Sequence, residues 1–428
     1  MPESGKITAR EIAIILFLCI SCLLFSGVQA DAESFFLKPS SGLNEKLKNV
    51  APGDSIHLAA GIYSRGITLT DIDATPDDPV VIQAQDPDNP PVFTGAAEGV
   101  KLRSCSFIKL KNLVFQGFTS NGINIDDSGQ NGPSHHILLE NIQVLNTGGK
   151  GNQDAIKLSG VTDFVLRNCD IEGWGGSAID LVGCRNGIIE QCTISGKEGF
   201  RSGNGIQIKG GSRNILVQNN LFRHAGMRTV QIGGLTGKQY FRPSVGDFEA
   251  KDITVAGNIF IGGEAQIAWV TAQDSHVHHN LFYQPEKWLG RILQETRDQQ
   301  FKPCQRGVFE RNVVVTDQRV SVFFNVGKGT DPESFVFREN LWFRPDGSNR
   351  PNLPTFEKDG VYDIDPMVLA TSEGGLEINS AAQEFNRIGP DAYQPFQVQM
   401  DFADISVPGV TIPEIEYSSL DWIRDLLR

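Results

Sequence analysis

The chain has 428 residues, 40% of them hydrophobic, enough to bury a large core without covalent staples. Its net charge of −13 argues against a general nucleic-acid binder, and it carries no Lys/Arg-rich tail and no heptad pattern.

In chain order, the first feature is a leader pattern over residues 1–30. Lys6 and Arg10 precede an apolar run at residues 12–25, and Val28-Gln29-Ala30 closes it with a small-x-small site. This predicts a cleaved secretory signal, cut after Ala30, and hence a secreted or periplasmic protein. The apolar run is short for a membrane span. A lipoprotein site at Cys22 is the rival reading, weakened because Leu23-Leu24-Phe25 continues past it. Cys19 and Cys22 leave with the leader. Cys105, Cys169, Cys184, Cys192 and Cys304 remain, an odd set without the tight spacing of a zinc site or disulfide framework.

Residues 41–50 (SGLNEKLKNV) read as a short amphipathic helix that would cover the open end of a stack of strands. Beyond residue 50 one phrase recurs: a short apolar strand, a Gly-containing turn, a second strand, a polar residue and an apolar pair. It appears as AIKLSGVTDFVLRNCDI, AIDLVGCRNGIIEQCTI and GIQIKGGSRNILVQNNLF, and again, with longer interruptions, as VQIGG…DITVAGNIF and QIAWVTAQDSHVHHNLF. Aligning the apolar pairs produces a column of Cys169, Cys192, Asn220, Asn258, Asn280, Asn312 and Asn340, spaced by 23, 28, 38, 22, 32 and 28 residues. A regular phrase at irregular spacing means coils of one shape with loops of different length, and such units must stack to bury their apolar faces. With strand alternation and almost no helical period, the expected fold is all-β. It is a single-stranded right-handed parallel β-helix over residues 31–345. Asn in the column suits a left-handed corner and a ladder of stacked amides. Cys169 and Cys192 share it one coil apart, as stacked thiols or a disulfide. Residues 346–428 read as a loop-rich segment draped over the coils, ending in a second short capping helix at residues 418–428.

Alternation also assigns faces. Ile123/Ile125, Ile156/Leu158, Ile179/Leu181, Ile206/Ile208, Val230/Ile232 and Ile267/Trp269 point inward. Between and after them Asn124/Asp126, Lys157/Ser159, Asp180/Val182, Gln207/Lys209, Gln231/Gly233 and Ala268/Val270 form a polar outer strip of rungs about 4.8 Å apart, suited to an extended polymer. Residues 197–242 carry eight basic residues against Glu198 alone, a net +7 that leaves −20 elsewhere. This island predicts an anionic ligand. Its members fall in the loops around two consecutive coils: Arg201, His224 and Arg228 before the rungs, and Lys238, Tyr240 and Arg242 in the insertion at residues 234–250.

The phrase IQIKGGSRNILVQNNLFRHAG…TVQIGG is similar to the catalytic coils of polysaccharide lyase family six, the alginate lyases and chondroitinase B. APGDSIHLAAGIYSRGITL resembles that family's opening coils, and the likeness spans roughly residues 52–263. It implies β-elimination on a uronate-containing polysaccharide, with Lys209 as the base on a calcium-assisted site. The family's Arg on the next rung falls at Gly233, leaving Arg228 or Arg242 to neutralise the substrate carboxylate. His224 or Tyr240 is the candidate acid. Arg201, Gln207, Gln231, Lys157 and Lys238 are the candidate substrate contacts. Ser202 and Asn204 stand where the family places acidic calcium ligands, so Asp154 and Asp180 on neighbouring coils are the remaining candidates for calcium. The expected partner is an anionic polysaccharide bound by a monomer.

Other readings share the fold. A glycoside hydrolase needs paired carboxylates, for which Asp126, Asp127, Asp154 and Asp180 lie on the right face, although turn roles suit these residues as well. A uronate epimerase would use nearly the lyase residues. A non-catalytic carbohydrate-binding or surface protein is also compatible, because fold does not fix function. His135-His136 and His276/His278-His279 read as turn and surface residues, and Trp174 and Trp288 as packing or sugar-stacking residues.

Overall fold

The structure is a computed structural model and describes residues 32–129, 134–149, 151–347 and 350–396. The leader, Cys19, Cys22 and the expected helix at residues 418–428 lie outside the described residues.

Short parallel strands stack into a three-faced coil. The first face is a ten-stranded sheet running from Ile67–Thr70 through Ile156–Ser159, Ser177–Val182, Asn204–Lys209 and Arg228–Gly233 to Phe324–Val326. The other two faces are hydrogen-bonded as one 23-stranded set. They join because Ser106–Gln116 and Ser134–Thr147 run unbroken round the corner between them, each pairing with strands of both faces. No strand of two to six residues can bury its own apolar side, so each coil depends on its neighbours. The inward set is as alternation predicts: Ile123, Ile125, Ile156, Leu158, Ile179, Leu181, Ile206, Ile208, Val230, Ile232, Ile267 and Trp269 are all buried in one continuous core. Aromatic rings stack inside it along the axis, Phe222 on Phe260 at 4.8 Å and Phe260 on Phe282 at 4.6 Å.

The Asn column forms a continuous amide ladder. Asn220, Asn258, Asn280 and Asn312 each donate Nδ2–H to the Oδ1 of the next Asn at 2.9–3.0 Å, and each Oδ1 also accepts that neighbour's backbone N–H. Asn340 ends the ladder on the buried carboxylate of Glu357. The expected corner geometry needs one correction: the left-handed residue is the one preceding the ladder position. Asn219, Gly257, His279, Arg311 and Glu339 have φ between 52° and 66°. The ladder Asn are therefore selected for their amides, and the left-handed cost is borne one residue earlier. Cys169 and Cys192 continue the column as free buried thiols, their Sγ–H groups directed to backbone carbonyls.

The N-terminal cap forms as a helix at Leu43–Lys48, with Leu43, Leu47 and Val50 buried against the first coil. A strand before it, Ser34–Leu37, pairs in parallel with Ser55–Leu58. SFFL lacks alternation, so this rung gave no sequence signal. At the other end, Glu357–Lys358 and Val361–Tyr362 still pair with Val336–Arg338 and Leu341–Phe343. The stack thus extends past residue 345. Beyond it the chain drapes back over the coils. Tyr393 Oη donates to Gln218 Oε1 at 2.8 Å, and the Arg223 guanidinium donates to the Gly374 carbonyl at 2.9 Å. No helix among the described residues is long and apolar enough to cross a membrane.

Candidate active site

The outer strip of the ten-stranded face holds a set of charges with a common focus. Register places Asn124, Lys157, Asp180, Gln207, Gln231 and Ala268 in one column, with Ser159, Val182 and Lys209 in the next. Asp180 lies at the centre, 2% exposed. Lys157 Nζ on the preceding rung is 2.5 Å from Asp180 Oδ2, and Lys209 Nζ on the following rung is 2.9 Å from Asp180 Oδ1. Two ammonium groups thus approach one buried carboxylate from opposite sides along the coil axis. Lys209 also donates to Gln207 Oε1 at 2.8 Å. Lys157 reaches Asp154 Oδ2 at 3.1 Å, while Asp154 Oδ1 accepts the Ser177 backbone N–H at 2.7 Å.

The electrostatics stem from this packing. Burial alone would raise the Asp180 carboxyl, but Lys209 and Lys157 outweigh it and hold the group below its ordinary range. Asp154 is nearly as buried and has one lysine fewer. Burial, then the neighbouring negative charge of Asp180, push it up to about 6. Lys157 keeps its proton more firmly than an ordinary lysine despite burial, because Asp180 and Asp154 face it. The lysines retain partial exposure, 29% for the Lys157 side chain and 18% for Lys209, whereas the carboxylates beneath do not. The solvent side of the site is cationic.

These residues do not fit a calcium ion. Calcium takes six to eight oxygens, whereas the Lys157 ammonium stands between Asp154 and Asp180 where a cation would sit. Among the described residues, no group of three His, Cys, Asp or Glu side chains converges as a metal site.

Gly233 is not an empty position awaiting a side chain. Its φ is +98°, and a Cβ there would lie 1.8 Å from the Val270 carbonyl oxygen. The next residue covers the strip instead: a Cβ on Gly234 would lie 3.2 Å from both Gln207 Nε2 and Lys209 Cβ. The insertion beginning there is pinned by Glu249, fully buried, whose carboxylate accepts from the Gly210 and Thr236 backbone N–H groups and from the Thr236 and Thr296 hydroxyls at 2.7–2.9 Å. Glu249 carried no motif and was invisible in the sequence.

Arg228 joins the strip from the next rung. It donates to Gln231 Oε1 at 2.7 Å and pairs with Glu295 at 2.7 Å, a partner that sequence reasoning missed. Other expected members lie elsewhere. Arg242 turns away over the corner to pair with buried Asp127 at 2.9 Å, so the carboxylate-binding role falls to other cations. His224 pairs with Glu286 at 2.9 Å and lines a cleft of about 450 Å³ with Arg201, Ser202 and Met227. This cleft opens beside the loop that leads into Asn204–Lys209, at the end of that strand opposite Lys209. Lys238 pairs with Asp298. Tyr240 is 59% exposed on the short turn Lys238–Tyr240 of the pinned insertion.

Similarity to known proteins lies in the fold. The family described as "Right handed beta helix region" matches residues 98–287. The chain is a right-handed parallel β-helix. No curated protein matches its sequence. Among solved structures it is similar to a GH136 lacto-N-biosidase from Eubacterium ramulus, with TM-score 0.55, 11% identity and coverage of 83% of this chain and 71% of that one. It is also similar to a rhamnogalacturonan lyase, with TM-score 0.51, 11% identity and coverage of 75% and 90%. A PL6 family polysaccharide lyase from Pseudopedobacter saltans aligns with TM-score 0.50, 12% identity and coverage of 83% and 98%. At these identities the likeness is one of fold.

Proposed function

We propose that this β-helix is an exported polysaccharide lyase that cleaves a uronate-containing glycan by β-elimination, with Lys209 as the base. The observation that carries the reading is the pair of partly exposed lysines, Lys157 and Lys209, focused on the buried Asp180 in the middle of an open polar strip. Elimination needs a fixed cation beside the substrate carboxylate and a base beside the acidic C–H. Lys157, held charged by two aspartates, is the fixed cation, and Arg228 extends the positive strip by one rung. Lys209, held by Asp180 and Gln207 on the open side, takes the proton from the carbon next to the carboxylate once its amine is neutral. The C–H electron pair becomes the new double bond, and the glycosidic oxygen on the adjacent carbon departs and is protonated by Tyr240 or water.

Hydrolysis on the same fold is the alternative to be tested, since a hydrolase and two lyases share the architecture. Asp154 and Asp180 have proton affinities pushed apart, as an acid–base pair requires. What disfavours them is that both are buried, 3% exposed for Asp154 and 2% for Asp180, and covered by Lys157. Incubation with alginate, pectate and chondroitin sulfate separates the cases. The lyase reading expects ultraviolet absorbance of unsaturated uronate rising together with reducing ends. Reducing ends without that absorbance would establish a hydrolase, isomerised uronate without cleavage an epimerase, and binding alone a non-catalytic module. Export rests on the leader pattern at residues 1–30.

A further inference from the structure

Round the corner from Lys209, on the next face of the coil, two arginines occupy the same column on consecutive rungs. Arg185 in Arg185–Glu190 is in register with Arg213 in Ser212–Gln218, with Thr162 before them and Lys251 after. Adjacent rungs are about 4.8 Å apart, and like charges directly opposite each other are destabilising. Such a column is normally relieved by acids. Lys251 has one, Asp274 at 3.6 Å, which is itself held by Arg306. Arg185 and Arg213 form no ion pair among the described residues. Asp252 is close enough to Arg213 to feel its charge, but makes no pair with it. Asp163, beside Thr162, is engaged by the Asn186 amide. Arg185 also borders a small cavity of about 140 Å³ with Thr162, Gly160, Gly183, Asp127 and Arg242, of which Asp127 and Arg242 satisfy each other.

We propose that Arg185 and Arg213 form a second anion seat, which binds a carboxylate or sulfate group carried on a glycan chain. Two guanidinium forks one rung apart can each donate paired N–H groups to one oxyanion, converting a repulsion into a clamp. The Thr162 hydroxyl at the cavity mouth supplies a further donor. Only Gly210, Gly211 and Ser212 separate Lys209 from Arg213. Phe241 and Arg242 of the insertion pack over this corner, against Gly183 and Gly211, so the seat is a surface separate from the strip. The seat lies outside the proposed catalytic strip and stands whether or not Lys209 performs elimination.

The test is retardation of the full chain in native gels containing alginate, chondroitin sulfate or neutral dextran, compared with the Arg185→Gln/Arg213→Gln double variant and with a control, Arg65→Gln/Lys358→Gln, that removes two exposed cations outside both sites. Expected results are an affinity loss of about tenfold for at least one anionic glycan in the double variant, no retardation by dextran, and retention of that affinity by the control variant. Inorganic sulfate, at matched ionic strength, should weaken retardation of wild type more than that of the double variant. Arg213→Glu supplies an internal anion opposite Arg185. It should match or exceed wild-type thermal stability while losing the same affinity, which separates lost binding from lost folding. Unchanged retardation in the double variant, equal retardation by dextran, or an equal loss in the control variant overturns the proposal. Because gel retardation requires no turnover, failure of the lyase reading leaves this result interpretable.

Discussion

Asp180 is the residue on which the candidate site turns. It is buried, it takes Lys157 on one oxygen and Lys209 on the other, and it is the negative charge that positions both cations beneath open solvent. Replacement by Asn keeps the shape and removes the charge, leaving Lys209 without its counterion and Lys157 with Asp154 alone. Asp180→Asn is therefore expected to lower turnover by at least about 100-fold, on the scale of removing one preorganised electrostatic partner. The fold should be retained, checked by circular dichroism beside the rate assay. Turnover within a few-fold of wild type would remove Asp180 from the account. At this scale the sequence exposed the members but not their pairing. Alternation placed Lys157, Asp180 and Lys209 on one face, yet which side chain reaches which depends on reach across rungs, and no spacing encodes that. Arg242 shows the same limit: it belongs to the basic island by position and to Asp127 by contact.

Among the elements, the amide ladder and the pinned insertion do the positioning. Each ladder Asn satisfies backbone groups on its own coil and its neighbours. Asn258 donates to the carbonyls of Val217 and Ala256 and to Asn280 Oδ1, and it accepts from the Asn220 backbone and amide. Asn258→Ala would leave several of these groups buried without partners, at a cost of about 2 kcal/mol or more, measurable as a lower denaturation midpoint. A change below about 0.5 kcal/mol would mean that the ladder is not a main determinant of stacking. The ladder was legible in the sequence because it demands one residue type at one point of every coil. The insertion was legible only as a length. Its conformation depends on Glu249, whose partners lie 13, 39 and 47 residues away and share no local pattern. Gly233 likewise reads as a missing arginine in sequence, whereas in space the Val270 carbonyl already occupies that position.

For the whole molecule, stability rests on stacking that must be closed at both ends. The first coil is closed by Leu43, Leu47 and Val50, a cap whose amphipathic period is visible in sequence. The far end of the ladder is closed by Glu357, whose carboxyl is pushed by burial from 4.5 up to about 7 while it accepts from Asn340. The folded chain thus holds a proton that the unfolded chain releases from about pH 4.5, so this group's contribution to stability falls as pH rises from about 4.5 to 7 and is flat above. Glu357→Gln keeps an acceptor for Asn340 and cannot ionise. It should flatten that part of the melting-temperature profile and stabilise the protein at pH 8 by up to about 3 kcal/mol. An unchanged slope between pH 4.5 and 7 would assign the titration to another group.

The central claim is that one coil lysine performs elimination on an acidic glycan, and it is tested most directly by comparing Lys209→Ala with wild type on whichever of alginate, pectate and chondroitin sulfate the wild type degrades. The measured quantity is the rate of unsaturated-uronate absorbance at saturating substrate, with affinity determined separately. The account predicts a fall of at least about 1,000-fold in turnover, at the scale of losing a positioned base, with substrate still bound. Full elimination by Lys209→Ala would contradict it.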